Sequence, residues 1–249
     1  MFINKDFKWV KKLHNKSFRI ESRLYLAEGS RLVLDMVLHN SKYINRIFAT
    51  TDWINHNVAK LQNIQNIVHP ISYSQLKSIA SLKSTEEVLA VMNMPEPILQ
   101  ENLVIPTRGL YLYQIQDPGN FGTMLRTADW FGLSIVFCSE NCADPFNNKS
   151  VQASMSSVAR ISIIECHAEE LKSRYGYRFL LGTEMHGQNY KTYSMKENSI
   201  MCFGNEANGL PQEFLELCDE RLSIPSNSLG SESLNVSIAA GILMSNYLI

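Results

Sequence analysis

Gln116-Asp-Pro-Gly-Asn-Phe-Gly-Thr-Met-Leu-Arg-Thr-Ala128 follows an apolar, aromatic-rich stretch, Leu110-Tyr-Leu-Tyr-Gln-Ile115, that reads as a strand. Asp117-Pro118-Gly119-Asn120 then reads as a turn. A helix is expected over about Phe121–Phe131, capped by the Asn120 side chain and stopped at Gly132. Strand, turn and helix in that order put the turn at a strand end, where open α/β sheets bind ligands. Arg126 falls in mid-helix between Leu125 and Ala128. Taken alone, it reads first as a solvated helix residue.

Two further strings repeat the arrangement. Cys202-Phe-Gly-Asn-Glu-Ala-Asn-Gly-Leu-Pro211 follows Ser199-Ile-Met. Gly204 and Gly209 bracket Asn205 and Glu206, and a backbone without Cβ lets a ligand come close. Pro211 then opens a helix that holds Glu213, Phe214 and Leu217. Glu206 by itself is an ordinary loop carboxylate. In Leu222–Ala240 the strand Arg221–Ile224 is ended by Pro225, and a polar loop leads to a helix. Ser231 and Ser233 are candidate N-caps, and Leu234, Ile238 and Ile242 are candidate core residues. Three such strand ends in one half-chain predict one composite pocket.

Outward from these strings, strands are expected near Leu110, Ser134, Ile161, Arg178, Ser199 and Leu222, alternating with helices. That alternation predicts a parallel sheet covered on both faces. The N-terminal part alternates too. A helix is expected over Phe7–His14, a strand over Leu24–Ala27 and a helix over Ser30–Leu38 with Ser30 as cap. A strand over Ile44–Ala49 leads to a helix capped by Thr51, then a strand near Val68, a helix over Gln75–Ala80 and a strand over Val88–Met92. Pro95, Pro97 and Pro106 mark a linker. The division is therefore 1–93, a linker at 94–108, and 109–249.

Hydrophobic content of 45% and charged content of 19% describe an ordinary globular chain. No apolar run approaches membrane length, and the N-terminus lacks a signal-peptide core, so a cytoplasmic location and no membrane partner are expected. Five cysteines without a CxxC pair predict free thiols. Six histidines form no HExxH-like cluster, so no metal is expected. There is no Walker sequence and no GxGxxG after a strand. The net charge of −1 conceals an asymmetry: residues 1–100 carry 13 basic and 8 acidic side chains, and residues 101–249 carry 10 and 16. Lys5, Lys8, Lys11, Lys12 and Lys16 recur at helical steps, and that face is either an RNA contact or simply solvated.

The three strings together resemble the SpoU (TrmH-like) branch of the SPOUT superfamily, RNA ribose 2′-O-methyltransferases. Asn120, Gly122, Arg126, Gly204, Glu206, Gly209, Pro225, Ser233, Leu234 and Asn235 carry the resemblance, which spans Leu110 to the C-terminus. Lys16-Ser-Phe-Arg, Ala27-Glu-Gly and Val88-Leu-Ala-Val resemble the small α/β RNA substrate-binding domain that often precedes it. The resemblance implies a parallel-sheet domain with a deep trefoil knot and a homodimer. It implies S-adenosylmethionine as cofactor, held by Gly204, Ile224 and Leu234 with Asn205, Gly209 and Pro225 beside them. It assigns Arg126 as the catalytic arginine, with Asn120, Glu206, Ser233 and Asn235 supplying hydrogen bonds. The implied substrate is structured RNA, ribosomal ahead of transfer RNA; the alternative is an RNA-binding protein of this fold without catalysis. The sequence departs from the family at Gln152, where arginine is common, and at Ser156, where glycine is common. It departs again at Glu86-Glu87, where Gln-Gly is frequent, and in a slightly long loop from Pro225 to Ser233.

Overall fold

Apolar runs punctuated by short polar turns build two sheets, each within its own compact unit. The computed structural model describes residues 4–81, 87–96, 103–226 and 233–248; Ser231 therefore lies outside the described residues. The first unit contains β1 (Leu24–Glu28), β2 (Ile44–Ala49), β3 (Val68–Pro70) and β4 (Val88–Asn93), in the order β1-β4-β2-β3. Strand β4 is antiparallel to β1 and β2, and β3 is parallel to β2. Helices α1 (Asn4–Lys12), α2 (Lys16–Ser22), α3 (Ser30–His39), α4 (Thr51–Leu61) and α5 (Tyr73–Ile79) belong to it.

Helix α1 buries Phe7 and Val10 and leaves Lys8, Lys11 and Lys12 exposed, as its period demands. Lys16 does not continue that face. Asn15 interrupts the helix and caps α2 by accepting from the Ser17 N–H at 2.8 Å. Two expected caps also move by one residue. Gly29, not Ser30, occupies the N-cap of α3, and the Ser30 hydroxyl instead accepts from Trp53 Nε1 at 2.7 Å. Thr50, not Thr51, caps α4 through the Trp53 N–H.

The second unit holds β5 (Arg108–Leu112), α6 (Pro118–Trp130) and β6 (Ile135–Cys138), then β7 (Ser162–Glu165) after an excursion that contains α7 (Asn148–Ser154). Next come α8 (Ala168–Ser173), β8 (Phe179–Asn189), β9 (Ser199–Phe203), α9 (Gln212–Leu217), β10 (Glu220–Ser223) and α10 (Val236–Tyr247). All six strands are parallel, in the order β10-β8-β9-β5-β6-β7. Strand β9 is wholly buried, as a parallel strand covered on both faces must be. The Tyr247 hydroxyl accepts from the Gly109 N–H at 3.1 Å and donates to the Ser199 carbonyl, while Arg108 Nη1 donates to the Tyr247 carbonyl at 2.6 Å. These bonds fasten the end of α10 to the starts of β5 and β9. No described helix is long and apolar enough to cross a membrane, and the five cysteines are free.

The sequence division is contiguous, but the units are not. Asp144–Arg160 belongs with Met1–Glu96, and Pro97–Ala143 with Ile161–Ile249. Polar bonds explain the exchange. Arg19, only 3% exposed, pairs with the Asp144 carboxylate and donates to the carbonyls of Leu13 and His14 at 2.8 and 2.9 Å. It is thereby withdrawn from the basic surface. Gln152 Nε2 donates to the Glu28 carbonyl, and the Ser156 hydroxyl donates to the Asp35 carboxylate. Both departures from the family pattern thus serve internal bonds of the first unit.

Candidate active site

Helix α6 begins three residues earlier than the turn pattern suggests. Pro118 has no N–H to lose and a φ suited to the first helical position, so Asp117 becomes the N-cap. Its carboxylate accepts the Asn120 N–H at 2.8 Å. The Asn120 side chain, relieved of capping, reaches two other loops. Its Nδ2 donates to Glu206 Oε1 at 3.2 Å, and its Oδ1 accepts from Asn235 Nδ2 at 3.0 Å. Glu206 also accepts the backbone N–H groups of Gln116 (3.3 Å) and Asp117 (3.2 Å). Asn235 is the N-cap of α10, its Oδ1 accepting from the Ser237 N–H at 2.9 Å, so the capping expected of Ser233 passes to Asn235. One carboxylate and two amides therefore lock three loops from three distant stretches of sequence.

The loop after β9 is self-supporting. Asn205 and Gly209 exchange backbone bonds at 3.1 and 2.8 Å, and Gly209 adopts φ +68°, where a side chain would be strained. Gly204 is needed for a different reason: a Cβ there would fall on the backbone of Gly209 and Leu210. Asn205 Nδ2 donates at 2.8 Å to the carbonyl of Gln114, which has a left-handed backbone at φ +49°. The loop after β5 is thus held from both Asn205 and Glu206.

Beside this network lies a cavity of about 670 Å³. Gly204, Asn205, Gly209, Ile224, Pro225 and Leu234 all line it, with Glu206 and Ser233. Its deeper walls are apolar, from Phe203, Leu210, Leu222 and Leu243. Leu234 and Ile238, candidate core residues by sequence, are 50% and 56% exposed, and Ile242 is half-buried. Arg126 stands apart. It is exposed on α6 and, among the described residues, makes no hydrogen bond or ion pair, whereas Asn120 on the same helix is committed to the loops.

Sequence reasoning missed one wall. Thr183, Glu184 and Met185 of β8 line the cavity. The available signal was Gly182 and Gly187 around a polar run after apolar Phe179-Leu-Leu, the same pattern that marked the other three strand ends.

Residues 108–245 match the SpoU rRNA Methylase family, and residues 4–90 match the MRM3-like substrate binding domain. The chain belongs to the SpoU rRNA methylase family. Its relatives include the 23S rRNA (guanosine(2553)-2′-O)-methyltransferase RlmP of Bacillus subtilis, 30% identical over 97% of this chain and 95% of that one. Among solved structures, a protein described as a TrmH-family RNA methyltransferase from Porphyromonas gingivalis superposes with a TM-score of 0.81 at 30% identity, covering 99% of this chain and 98% of that one. An AdoMet-bound rRNA methyltransferase from Sinorhizobium meliloti superposes at 0.80 with 26% identity, covering 98% and 94%. The six-stranded parallel sheet and the preceding substrate-binding unit are those of this SpoU family.

Proposed function

We propose that the protein methylates a ribose 2′-hydroxyl of ribosomal RNA, using S-adenosylmethionine held in the cavity beside Glu206. The carrying observation is the joining of Asn120, Glu206 and Asn235 next to a preformed cavity of about 670 Å³ at the carboxyl ends of parallel strands. The fit to the cofactor is good. Gly204 and Gly209 present bare backbone, Ile224, Pro225 and Leu234 present apolar surface for an adenine ring, and Asn205 fixes the loop. The deep knot that the family resemblance implies would be built from the loops of this wall.

When bound, the cofactor supplies a methyl group already activated on a sulfonium. The protein must therefore align the acceptor hydroxyl and manage one proton. Arg126 carries a permanently cationic guanidinium, which cannot act as a base at neutral pH. Its role is to hold the ribose or its phosphate and to stabilise negative charge growing on the 2′-oxygen. Asn120, Glu206 and Asn235 hold the loops that set the distance between acceptor and cavity, and Ser233 borders the same opening. RNA is gripped by exposed Lys8, Lys11, Lys12 and Lys16 of the first unit. The molecule works as a homodimer.

The test is methyl transfer from labelled S-adenosylmethionine to ribosomal RNA lacking 2′-O-methyl groups, followed by nucleoside analysis. Label in a 2′-O-methylribose is expected. Label on a base, or cofactor binding without any transfer to RNA, refutes the assignment.

A further inference from the structure

Two carboxylates line the cavity among the described residues, and they are not equivalent. Glu206 is committed to the Gln116 and Asp117 N–H groups and to Asn120. Among the described residues Glu184, on β8, has only the Arg221 guanidinium near it, at 3.9 Å, too long for a hydrogen bond. Its side chain is 24% exposed. The neighbouring polar groups are already engaged: the Thr183 hydroxyl donates to the Cys202 carbonyl at 2.9 Å, and Asn205 bonds the Gln114 carbonyl. A half-buried carboxylate with open lone pairs, beside a hydroxyl and an amide that are already engaged, is an acceptor waiting for donors.

Resting on the cofactor reading above, we infer that Glu184 accepts the vicinal 2′,3′-diol of the adenosyl ribose. A ribose diol offers two neighbouring O–H donors, and a carboxylate offers two acceptor oxygens at matching spacing. An acidic side chain on a ribose hydroxyl is the same solution that dinucleotide-binding sheets use. The assignment gives the missed wall a purpose. The apolar surface selects adenine by shape, while Glu184 fixes the orientation of the nucleoside and hence where the sulfur end points.

The experiment is calorimetric, on the full-length protein, with S-adenosylmethionine, S-adenosylhomocysteine and the 2′,3′-dideoxy analogue of the latter. Glu184→Gln keeps shape but weakens the acceptor. Hydrogen bonds to a charged group are worth enough that both ribose-bearing ligands should lose about 10- to 100-fold in affinity. The dideoxy analogue should bind wild type and variant alike, which separates a lost contact from a damaged fold. Equal affinity of wild type and variant for S-adenosylhomocysteine overturns the inference. So does a loss confined to S-adenosylmethionine, which would mean that the carboxylate answers the sulfonium charge, or a loss that persists with the dideoxy analogue. Failure of wild type to bind any of the three removes the cofactor reading itself, and this inference with it.

Discussion

Arg126 and Glu206 show how differently two charged residues can serve one site. Glu206 accepts from two backbone N–H groups and one amide, so it acts on geometry. Arg126, exposed and unpaired among the described residues, keeps its donors for an outside anion. Replacing it should therefore leave the cavity alone. Arg126→Ala is expected to lower methyl transfer by about 10²-fold or more, as loss of one charge-stabilising group does. Its affinity for S-adenosylhomocysteine should equal that of wild type, measured by calorimetry. Near-normal turnover would remove the role.

At the scale of elements, the loop after β9 and the end of α10 carry the clearest consequences. A Cβ at Gly204 meets the backbone of Gly209 and Leu210, which cannot swing aside as a flexible side chain would. Gly204→Ala should cost about 1–3 kcal/mol of stability by overpacking and weaken S-adenosylhomocysteine by tenfold or more. Gly209→Ala meets open space and should suffer only the left-handed backbone penalty of about 1–2 kcal/mol. Urea melts of both variants beside calorimetry separate the two effects; equal behaviour would contradict them. Tyr247→Phe leaves the buried Gly109 N–H without its acceptor and should cost about 1–3 kcal/mol, visible as a lower urea midpoint at constant slope. An unchanged midpoint would show that α10 is held by packing alone. The strands were legible in sequence because buried parallel strands are apolar runs, and β2 ends at both of its expected residues. The three loops were legible because glycine, proline and amides cluster there. Cap choice was not legible: Asp117 and Asn120 are both good caps, and only the Pro118 backbone decides between them. The wall at Thr183–Met185 was harder to read, because it lies inside a strand and only Gly182 and Gly187 mark it.

For the whole molecule, charge and apolar surface lead to two measurements. Lys8, Lys11 and Lys16 are exposed in the first unit, whereas Arg19 is buried in an ion pair. Changing the three lysines to glutamine should weaken RNA binding and flatten its dependence on log salt by about 0.7–0.9 per lost phosphate contact. Cofactor affinity should stay as it was. An unaltered salt slope would make these lysines merely solvated. Trp130 is 85% exposed at the end of α6, and Ile238 is exposed on α10. Apolar surface of this kind suits the proposed homodimer. Light scattering at micromolar concentration should give twice the 28.3 kDa chain mass, and Trp130→Glu should reduce it to one chain. A monomeric wild type would refute the pairing.

The loan of Asp144–Arg160 to the first unit has a consequence for how the protein comes into being. A chain emerging from the ribosome N-terminus first has all four strands of the small sheet available once Asn93 is out. Even so, Arg19 still lacks Asp144, and the buried Val151 and Val158 are still to come. By the time Arg160 has left the tunnel, β5 and β6 of the second sheet are already outside it without β8, β9 or β10 beside them. Neither unit can finish before the other has begun, so translation cannot deliver one completed module and then the next. A gene cut at the proline linker would yield two fragments, each missing or carrying a piece of the other. Expressed separately, they should be recovered from the insoluble fraction; expressed together, they would have to find each other before either could fold.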